Sequence, residues 1–195
     1  MAKSRQTPSQ TVGPYFAYGL TPEQYGYQHG LRSLAGPDMA AGDVEGLRVR
    51  IEGRVFDGAD APISDALIEI WQADALGRYA HPADPRGRNS GFTGFGRCGT
   101  GIDPRNRFIF DTIKPGAPAD GQAPHLNVIV MMRGMLLHAF TRIYFPDEAA
   151  NATDPVLNRV PTDRRSTLIA IPLGRDAYRF DIHMQGERET VFFDV

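Results

Sequence analysis

The clearest pattern in this 195-residue sequence is a strict alternation of apolar and polar positions that begins at Leu47. Apolar or small residues occupy the odd positions from 47 to 55, and charged residues occupy the even positions between them. A period of two is typical of a strand with one buried face. Further runs rich in β-branched and aromatic residues, separated by Gly, Pro and Asp clusters, predict strands at 66–72, 107–112, 126–132, 141–145, 166–171, 178–184 and 190–193.

These runs predict an all-β fold, an antiparallel β-sandwich, because many short strands with turns between them pack as two facing sheets. Only residues 147–160 have a helical pattern, so at most one or two short helices are expected. No segment has the glycine fingerprint of a nucleotide-binding fold. Residues 1–46 lack sustained periodicity and are predicted to form an irregular arm that contacts a partner chain, whereas residues 47–195 form the sandwich.

The composition narrows the possible partners of the chain. Its 21 basic and 23 acidic residues nearly balance, so no basic surface for nucleic acid or for an anionic membrane is expected. The single cysteine, Cys98, cannot form an intrachain disulfide and is predicted to be a buried apolar residue. The first residues are polar and lack the apolar core of a signal peptide, which predicts a cytoplasmic protein.

A series of motifs in fixed order resembles the intradiol ring-cleaving dioxygenases over nearly the whole chain. The series includes Gly-Arg-Val at 53–55, Glu-Ile-Trp-Gln-Ala-Asp at 69–74, Gly-Arg-Tyr at 77–79, Lys-Pro-Gly at 114–116, Pro-His-Leu-Asn at 124–127 and Tyr-Arg-Phe-Asp at 178–181. Each motif alone is common, but their order and spacing are specific. The resemblance implies a β-sandwich, in agreement with the periodicity. It also implies a reaction in which ferric iron binds both hydroxyls of a catechol before dioxygen attacks the ring.

Half of the metal ligands that the resemblance implies are missing. The family holds Fe(III) with two tyrosine phenolates and two histidines, which suit a hard cation. Tyr79 and His125 match the first ligand of each kind, whereas Ala117 and Asn127 replace the second. Gln122 replaces an arginine that the catalytic chains carry beside the iron. The resemblance therefore implies that this chain holds no metal, that the two matching ligands are vestigial, and that Fe(III) is bound by a homologous partner chain.

The N-terminal arm resembles that of the iron-free, α-type chain in those two-chain members of the family that cleave protocatechuate. In such a hetero-oligomer this chain has no catalytic residue of its own, but it completes the substrate cleft of the iron-binding β-type chain. The implied cleft-lining residues are Thr11, Gly13, Pro14, Tyr15 and Arg133. Gly13 and Pro14 favour a close and rigid approach of the backbone, and Tyr15 offers a flat wall with one polar end.

Arg142 is a further departure, because catalytic relatives carry glutamine at its position. It lies on the face of a predicted strand that adjoins the lost metal site, and we predict that its guanidinium fills part of that pocket and hydrogen-bonds groups such as Tyr79. Two alternatives stay open. One is an iron-free sandwich that binds small aromatic molecules or proteins without catalysis. The other is a self-sufficient dioxygenase that recruits Tyr15 or Tyr144, although the missing ligands weigh against it.

Overall fold

The computed structural model describes residues 13, 15–27, 35–86, 92–118 and 121–195. Within them, a short α-helix, α1 (Tyr15–Leu20), precedes nine strands. The strands are β1 (Arg48–Phe56), β2 (Leu67–Gln72), β3 (Phe95–Gly99), β4 (Arg107–Ile113), β5 (His125–Met131), β6 (Ala139–Tyr144), β7 (Ile171–Pro172), β8 (Ala177–Arg179) and β9 (Ile182–His183). Short 3-10 helices lie at Pro22–Tyr25, Ala149–Ala152, Leu157–Arg159 and Thr162–Leu168. None of the helices in these residues is long and apolar enough to cross a membrane.

The strands form two sheets that share one core. The first, here the β1 sheet, has the order β4-β1-β8-β7, with β9 also pairing with β1. The second, here the β2 sheet, has the order β3-β2-β5-β6, and its pairs are antiparallel. In the β1 sheet, β1 is antiparallel to β4 but parallel to β8 and β9. The predicted all-β sandwich, dominated by antiparallel pairs and with few short helices, is confirmed.

Along the strands of both sheets, every second side chain points into the shared core, as a period of two requires. At position 53, on the inward face of β1, a Cβ atom would lie 1.8 Å from the carbonyl oxygen of Phe180. Glycine is therefore needed where the C-terminal segment crosses β1. Strand residues of the shared core include Val49, Ile51, Val55, Ile68, Ile70, Phe108, Phe110, Val128 and Val130.

Cys98 lies in this core, as predicted, and is 5% exposed. Burial raises the pKa of its thiol to about 11. The thiol therefore stays protonated and unreactive near neutral pH.

Most predicted strands are found within two residues of their predicted limits. The predictions at 47–55, 66–72, 107–112, 126–132 and 141–145 correspond to β1, β2, β4, β5 and β6. The run at 178–184 is divided into β8 and β9. At the division, the Asp181 carboxylate accepts the backbone N–H of Arg54 at 3.1 Å, so a side chain replaces the backbone acceptor of the ladder.

Other predicted elements differ from the structure in type or extent. Residues 166–168, half of the run at 166–171, belong to the 3-10 helix that ends at Leu168, and only Ile171 lies in a strand, β7. A short apolar run fits a buried helical turn as well as a strand. The run at 190–193 makes only a single bridge, between Phe193 and Phe140. The predicted helical region 147–160 contains two 3-10 helices. Strand β3 was not predicted, because its sequence, Phe-Gly-Arg-Cys-Gly, contains two glycines and a charge.

The described part of the N-terminal arm packs along the edges of both sheets. The side chain of Gln24 donates to the carbonyl oxygen of Arg97 at 3.1 Å and accepts from the N–H of Gly99 at 3.0 Å. The amide thus pairs with β3 as a neighbouring strand would, and it protects that edge. The N–H of Met39 donates to the carbonyl oxygen of Asp111 in β4 at 2.9 Å, and its side chain enters the core. The predicted contact of the arm with a partner chain stays a prediction.

Candidate functional site

The positions that match the family's metal ligands converge beside β5 and β6. The strand register pairs His125 with Tyr144 and Asn127 with Arg142, and paired residues of an antiparallel ladder lie side by side on one face. The ring of Tyr79 stacks on Trp71, with centroids 5.8 Å apart, and β2 places Trp71 opposite Asn127. The pocket formed by these residues is called the vestigial pocket below.

Ala117 also lies next to this pocket but carries no ligand atom. Its carbonyl oxygen packs against Gly77, where an added Cβ atom would be 1.9 Å away. Gly77 has a φ of 75°, which favours glycine for a second reason. The backbone of Ala117 therefore packs against Gly77, two residues before Tyr79, but the alanine side chain cannot supply the second phenolate.

His125 is buried, with an exposed fraction of 1%. Burial lowers its pKa to about 4, and the positive charge of Arg142 contributes to the shift. A neutral imidazole whose Nδ1 lies 2.8 Å from the carbonyl oxygen of Ala123 donates its proton there. The Nε2 atom is buried without a hydrogen-bond partner among the described residues.

The two tyrosines of the pocket are neutral phenols. Burial raises the pKa of Tyr79, although a hydrogen bond with Asn127 and the charge of Arg142 oppose the rise. Burial also raises the pKa of Tyr144 to about 12. Neither side chain offers an anionic oxygen near neutral pH without help from a bound cation.

Arg142 brings a permanent positive charge to the vestigial pocket. Its Nη1 atom donates to Oε1 of Gln122 at 2.8 Å and to the hydroxyl of Tyr144 at 3.3 Å. The expected hydrogen bond to Tyr79 is not among these contacts. Its filling of the lost metal site stays a proposal.

The residues of the vestigial pocket do not fit a ferric ion. A hard trivalent cation needs several anionic oxygen donors. Of the four ligand positions, only Nε2 of His125 and the hydroxyl of Tyr79 remain, and the Arg142 guanidinium places a like charge beside them. In the described ranges, no group of three or more His, Cys, Asp or Glu side chains is arranged to hold a metal ion.

The lowered pKa of His125 predicts a loss of stability in acid. The unfolded chain takes up a proton near pH 6.5, whereas the folded chain resists protonation until about pH 4. Stability is therefore complete above pH 6.5 and falls as the pH drops toward 4. Each pKa unit is worth about 1.36 kcal/mol, so the full loss is about 3 kcal/mol. Urea unfolding at several pH values should show a shallower dependence for His125→Gln, and equal slopes for both proteins would contradict the assignment.

Asp154 holds the vestigial pocket together, although its sequence context gave no sign of this role. It is fully buried. Its carboxylate accepts the N–H of Ala123 at 2.8 Å and the hydroxyl of Tyr144 at 3.1 Å. It also accepts the N–H groups of Val156 and Leu157 at 2.9 and 2.7 Å. One side chain thus joins the residues next to β5, β6 and the 3-10 helix Leu157–Arg159.

An open cavity of about 640 Å³ lies beside the vestigial pocket. Trp71, Phe140 and Phe193 contribute apolar walls, and Asn127 and Arg142 contribute polar groups. Cavities of several hundred Å³ with few polar groups suit small aromatic molecules. This neighbouring cavity therefore has room for a ring, but Tyr79 and His125, the two matching ligand positions, do not line it.

The predicted cleft-lining residues that the structure describes are exposed. A Cβ atom added at Gly13 would have nothing within 4 Å beyond its chain neighbours, and Tyr15 is 80% exposed. The Tyr15 ring contacts Tyr18, whose ring meets that of Tyr25 edge-on, with centroids 4.5 Å apart. Thr11 and Pro14 lie outside the described residues. The arm thus presents its exposed tyrosine at the end of a connected group of rings.

Arg133 shares a neighbour, Asp65, with this group of rings. Its side chain is 63% exposed and forms an ion pair with Asp65. Burial raises the pKa of Tyr25, and the nearby Asp65 carboxylate adds to the rise. Asp65 therefore connects the neighbourhood of Arg133 with that of the arm, two segments that sequence reasoning assigned to one cleft.

Comparison with known proteins identifies the family of this fold and pocket. A family model described as Dioxygenase matches residues 13–186. The protocatechuate 3,4-dioxygenase alpha chain of Burkholderia cepacia is 56% identical over 203 residues, with all of both chains covered. The chain belongs to the intradiol dioxygenase family.

Two further comparisons give a less similar relative and a solved structure with the same fold. The protocatechuate 3,4-dioxygenase beta chain of Burkholderia cepacia is 34% identical over 167 residues, which cover 76% of this chain and 69% of the relative. The dioxygenase domain of a dioxygenase carbohydrate-binding protein fusion from Streptomyces sp. SirexAA-E has the same fold. It aligns with a TM-score of 0.61 and 22% identity over 95% of this chain and 100% of that one.

Proposed function

We propose that this chain is the iron-free α-type subunit of a protocatechuate 3,4-dioxygenase. Its partner is a homologous β-type chain that carries Fe(III), and the two form a hetero-oligomer in the cytoplasm. The assembled enzyme uses O₂ to break the ring bond between the two hydroxyl-bearing carbons of protocatechuate. Both oxygen atoms enter the product, 3-carboxy-cis,cis-muconate. Neither nucleic acid nor a membrane takes part.

The fixed guanidinium in the vestigial pocket carries this proposal. Arg142 is bonded to Gln122 and Tyr144 next to the two remaining ligand positions. A permanent cation at this place disfavours a second cation. This chain is more similar in sequence to an alpha chain than to a beta chain. This difference supports an iron-free role for this chain and an iron-binding role for its partner.

The contribution of this chain to the reaction is then to complete the cleft of its partner. Tyr15 and Arg133 are exposed and available for contact outside this chain, and Thr11, Gly13 and Pro14 complete the proposed wall. Protocatechuate is an anion at neutral pH, so a positive charge at the mouth of the cleft raises its local concentration. The proposed role of Arg133 is therefore to bind substrate, while the iron chemistry takes place on the partner.

Iron analysis of the chain with and without its partner tests the proposal. The chain expressed alone should bind no stoichiometric iron, lack the visible absorbance of a ferric tyrosinate and consume no O₂ with protocatechuate. Co-expression with the β-type chain should yield coloured, active protein. The variant Asn127→His, which restores the second histidine, should stay colourless when expressed alone, because Ala117 and Arg142 remain.

Each other outcome supports an alternative. A coloured, active homomer would contradict the proposal and favour the self-sufficient dioxygenase. Failure to associate with any iron-carrying β-type chain, together with binding of aromatic molecules by the chain alone, would favour the iron-free binding protein.

A further inference from the structure

Arg133 is held by a residue to which sequence reasoning assigned no role. Strands β2 and β5 pair Leu67 with Met131, and the same register extended by two residues brings Asp65 opposite Arg133. The Nε atom of Arg133 forms an ion pair with Oδ2 of Asp65. The Arg133 side chain is 63% exposed, whereas that of Asp65 is 17% exposed, and its Oδ2 atom is buried.

The backbone that carries Asp65 is fixed. The N–H of the next residue, Ala66, donates to the hydroxyl oxygen of Thr100 at 3.1 Å. The N–H of Thr100 donates in return to the carbonyl oxygen of Ala66 at 2.9 Å. Both of these residues are fully buried. The ion pair thus joins a rigidly placed carboxylate to a long side chain that otherwise has many accessible rotamers.

We propose that Asp65 is a positioning residue that orients Arg133 toward the substrate in the cleft of the partner chain. This inference rests on the proposed function of Arg133. The ion pair occupies the Nε side of the guanidinium, and among the described residues the two terminal nitrogens have no partner. Those nitrogens form the edge that binds a carboxylate with two parallel hydrogen bonds. Asp65 therefore leaves free the edge that protocatechuate needs.

The Asp65 charge has two opposing effects on substrate binding, and their balance decides whether its removal strengthens or weakens that binding. The carboxylate reduces the net positive potential at the cleft mouth, so its removal strengthens long-range attraction of an anion. That attraction is screened over roughly 8 Å at physiological salt. Direct hydrogen bonding at contact distance is screened much less and depends on the orientation of the guanidinium. We therefore expect loss of the carboxylate to weaken substrate binding.

Steady-state kinetics of the assembled enzyme test the inference. Asp65→Asn, which keeps the size of the side chain and removes its charge, should raise KM for protocatechuate about three- to tenfold with little change in kcat. Arg133→Ala should raise KM by up to about tenfold. The double variant should be no worse than Arg133→Ala alone, because Asp65 acts through Arg133. Asp65→Glu, which retains the charge, should restore most of the affinity.

Asp60→Asn is the matched control. Asp60 lies in the same loop between β1 and β2, but its ion-pair partner at 2.6 Å, Arg188, belongs to the C-terminal segment. This variant should leave KM unchanged. An equal change in KM for Asp60→Asn and Asp65→Asn would indicate a general effect of charge and overturn the inference.

The remaining outcomes separate this inference from the proposed function. An unchanged or lowered KM in Asp65→Asn, with a raised KM in Arg133→Ala, overturns the role of Asp65 and leaves that of Arg133 intact. An unchanged KM in Arg133→Ala overturns the substrate-binding role of both residues. Additive effects in the double variant show that Asp65 acts independently of Arg133, which also contradicts the inference.

Discussion

Deleting residues 1–15 should lower kcat/KM of the assembled enzyme by about 100-fold or more, since displaced walls of a reacting site have effects of this order. The deletion removes the proposed cleft-lining residues of the arm, including the exposed Tyr15. It leaves the anchoring contacts of Gln24 with β3 in place. Iron content, urea unfolding and assembly with the partner should therefore stay close to those of the full-length protein.

Gln24→Ala provides the matched comparison for this deletion. It keeps every cleft-lining residue but removes two hydrogen bonds that hold the arm against β3. Its kcat/KM should lie between those of the intact and the truncated enzyme, because the arm is present but less well placed. If the truncated enzyme retained full turnover, the arm would have no role in the reaction.

Asp154→Ala should destabilise the folded chain by about 3–5 kcal/mol, because a buried donor left without its acceptor costs about 1–3 kcal/mol and several are left here. Four donors lose their acceptor: the hydroxyl of Tyr144 and the N–H groups of Ala123, Val156 and Leu157. Three of these donors belong to the backbone, and a buried N–H group without a partner is costly.

The free energy of unfolding in urea measures the effect of Asp154→Ala directly. Thr153→Ala is the control at the neighbouring position, because its hydroxyl makes one exposed hydrogen bond at 3.3 Å, to the carbonyl oxygen of Ala150. It should change stability by less than about 1 kcal/mol. Similar losses for both variants would show that the carboxylate of Asp154 has no special importance.

Strands with one buried face could be predicted from the sequence because their apolar positions repeat every second residue. This holds for β1, whose burial alternates along its whole length. The same pattern does not identify a strand's neighbour or its direction. The parallel pairing of β1 with β8 and β9 therefore could not be derived from local periodicity.

The vestigial pocket could be predicted from the sequence only in part. Tyr79, His125 and Asn127 could be placed because they stand inside motifs with fixed spacing, and the structure brings them together. Asp154 and Asp65 could not be found in this way. Each is a single carboxylate outside the motifs with fixed spacing. The partners that give it a role are distant in sequence, as with Ala123 and Asp154, which are 31 positions apart.

The parallel pairing of β1 also has a consequence for the order of events during synthesis. β1 ends at Phe56, but its neighbour β9 ends at His183, about a dozen residues before the C-terminus. One side of β1 therefore lacks its strands while most of the chain is translated, and pairing over such a separation is slow. We expect the sandwich to close only after β9 has been translated. A partner chain then meets a folded β1 sheet only once β8 and β9 have left the ribosome.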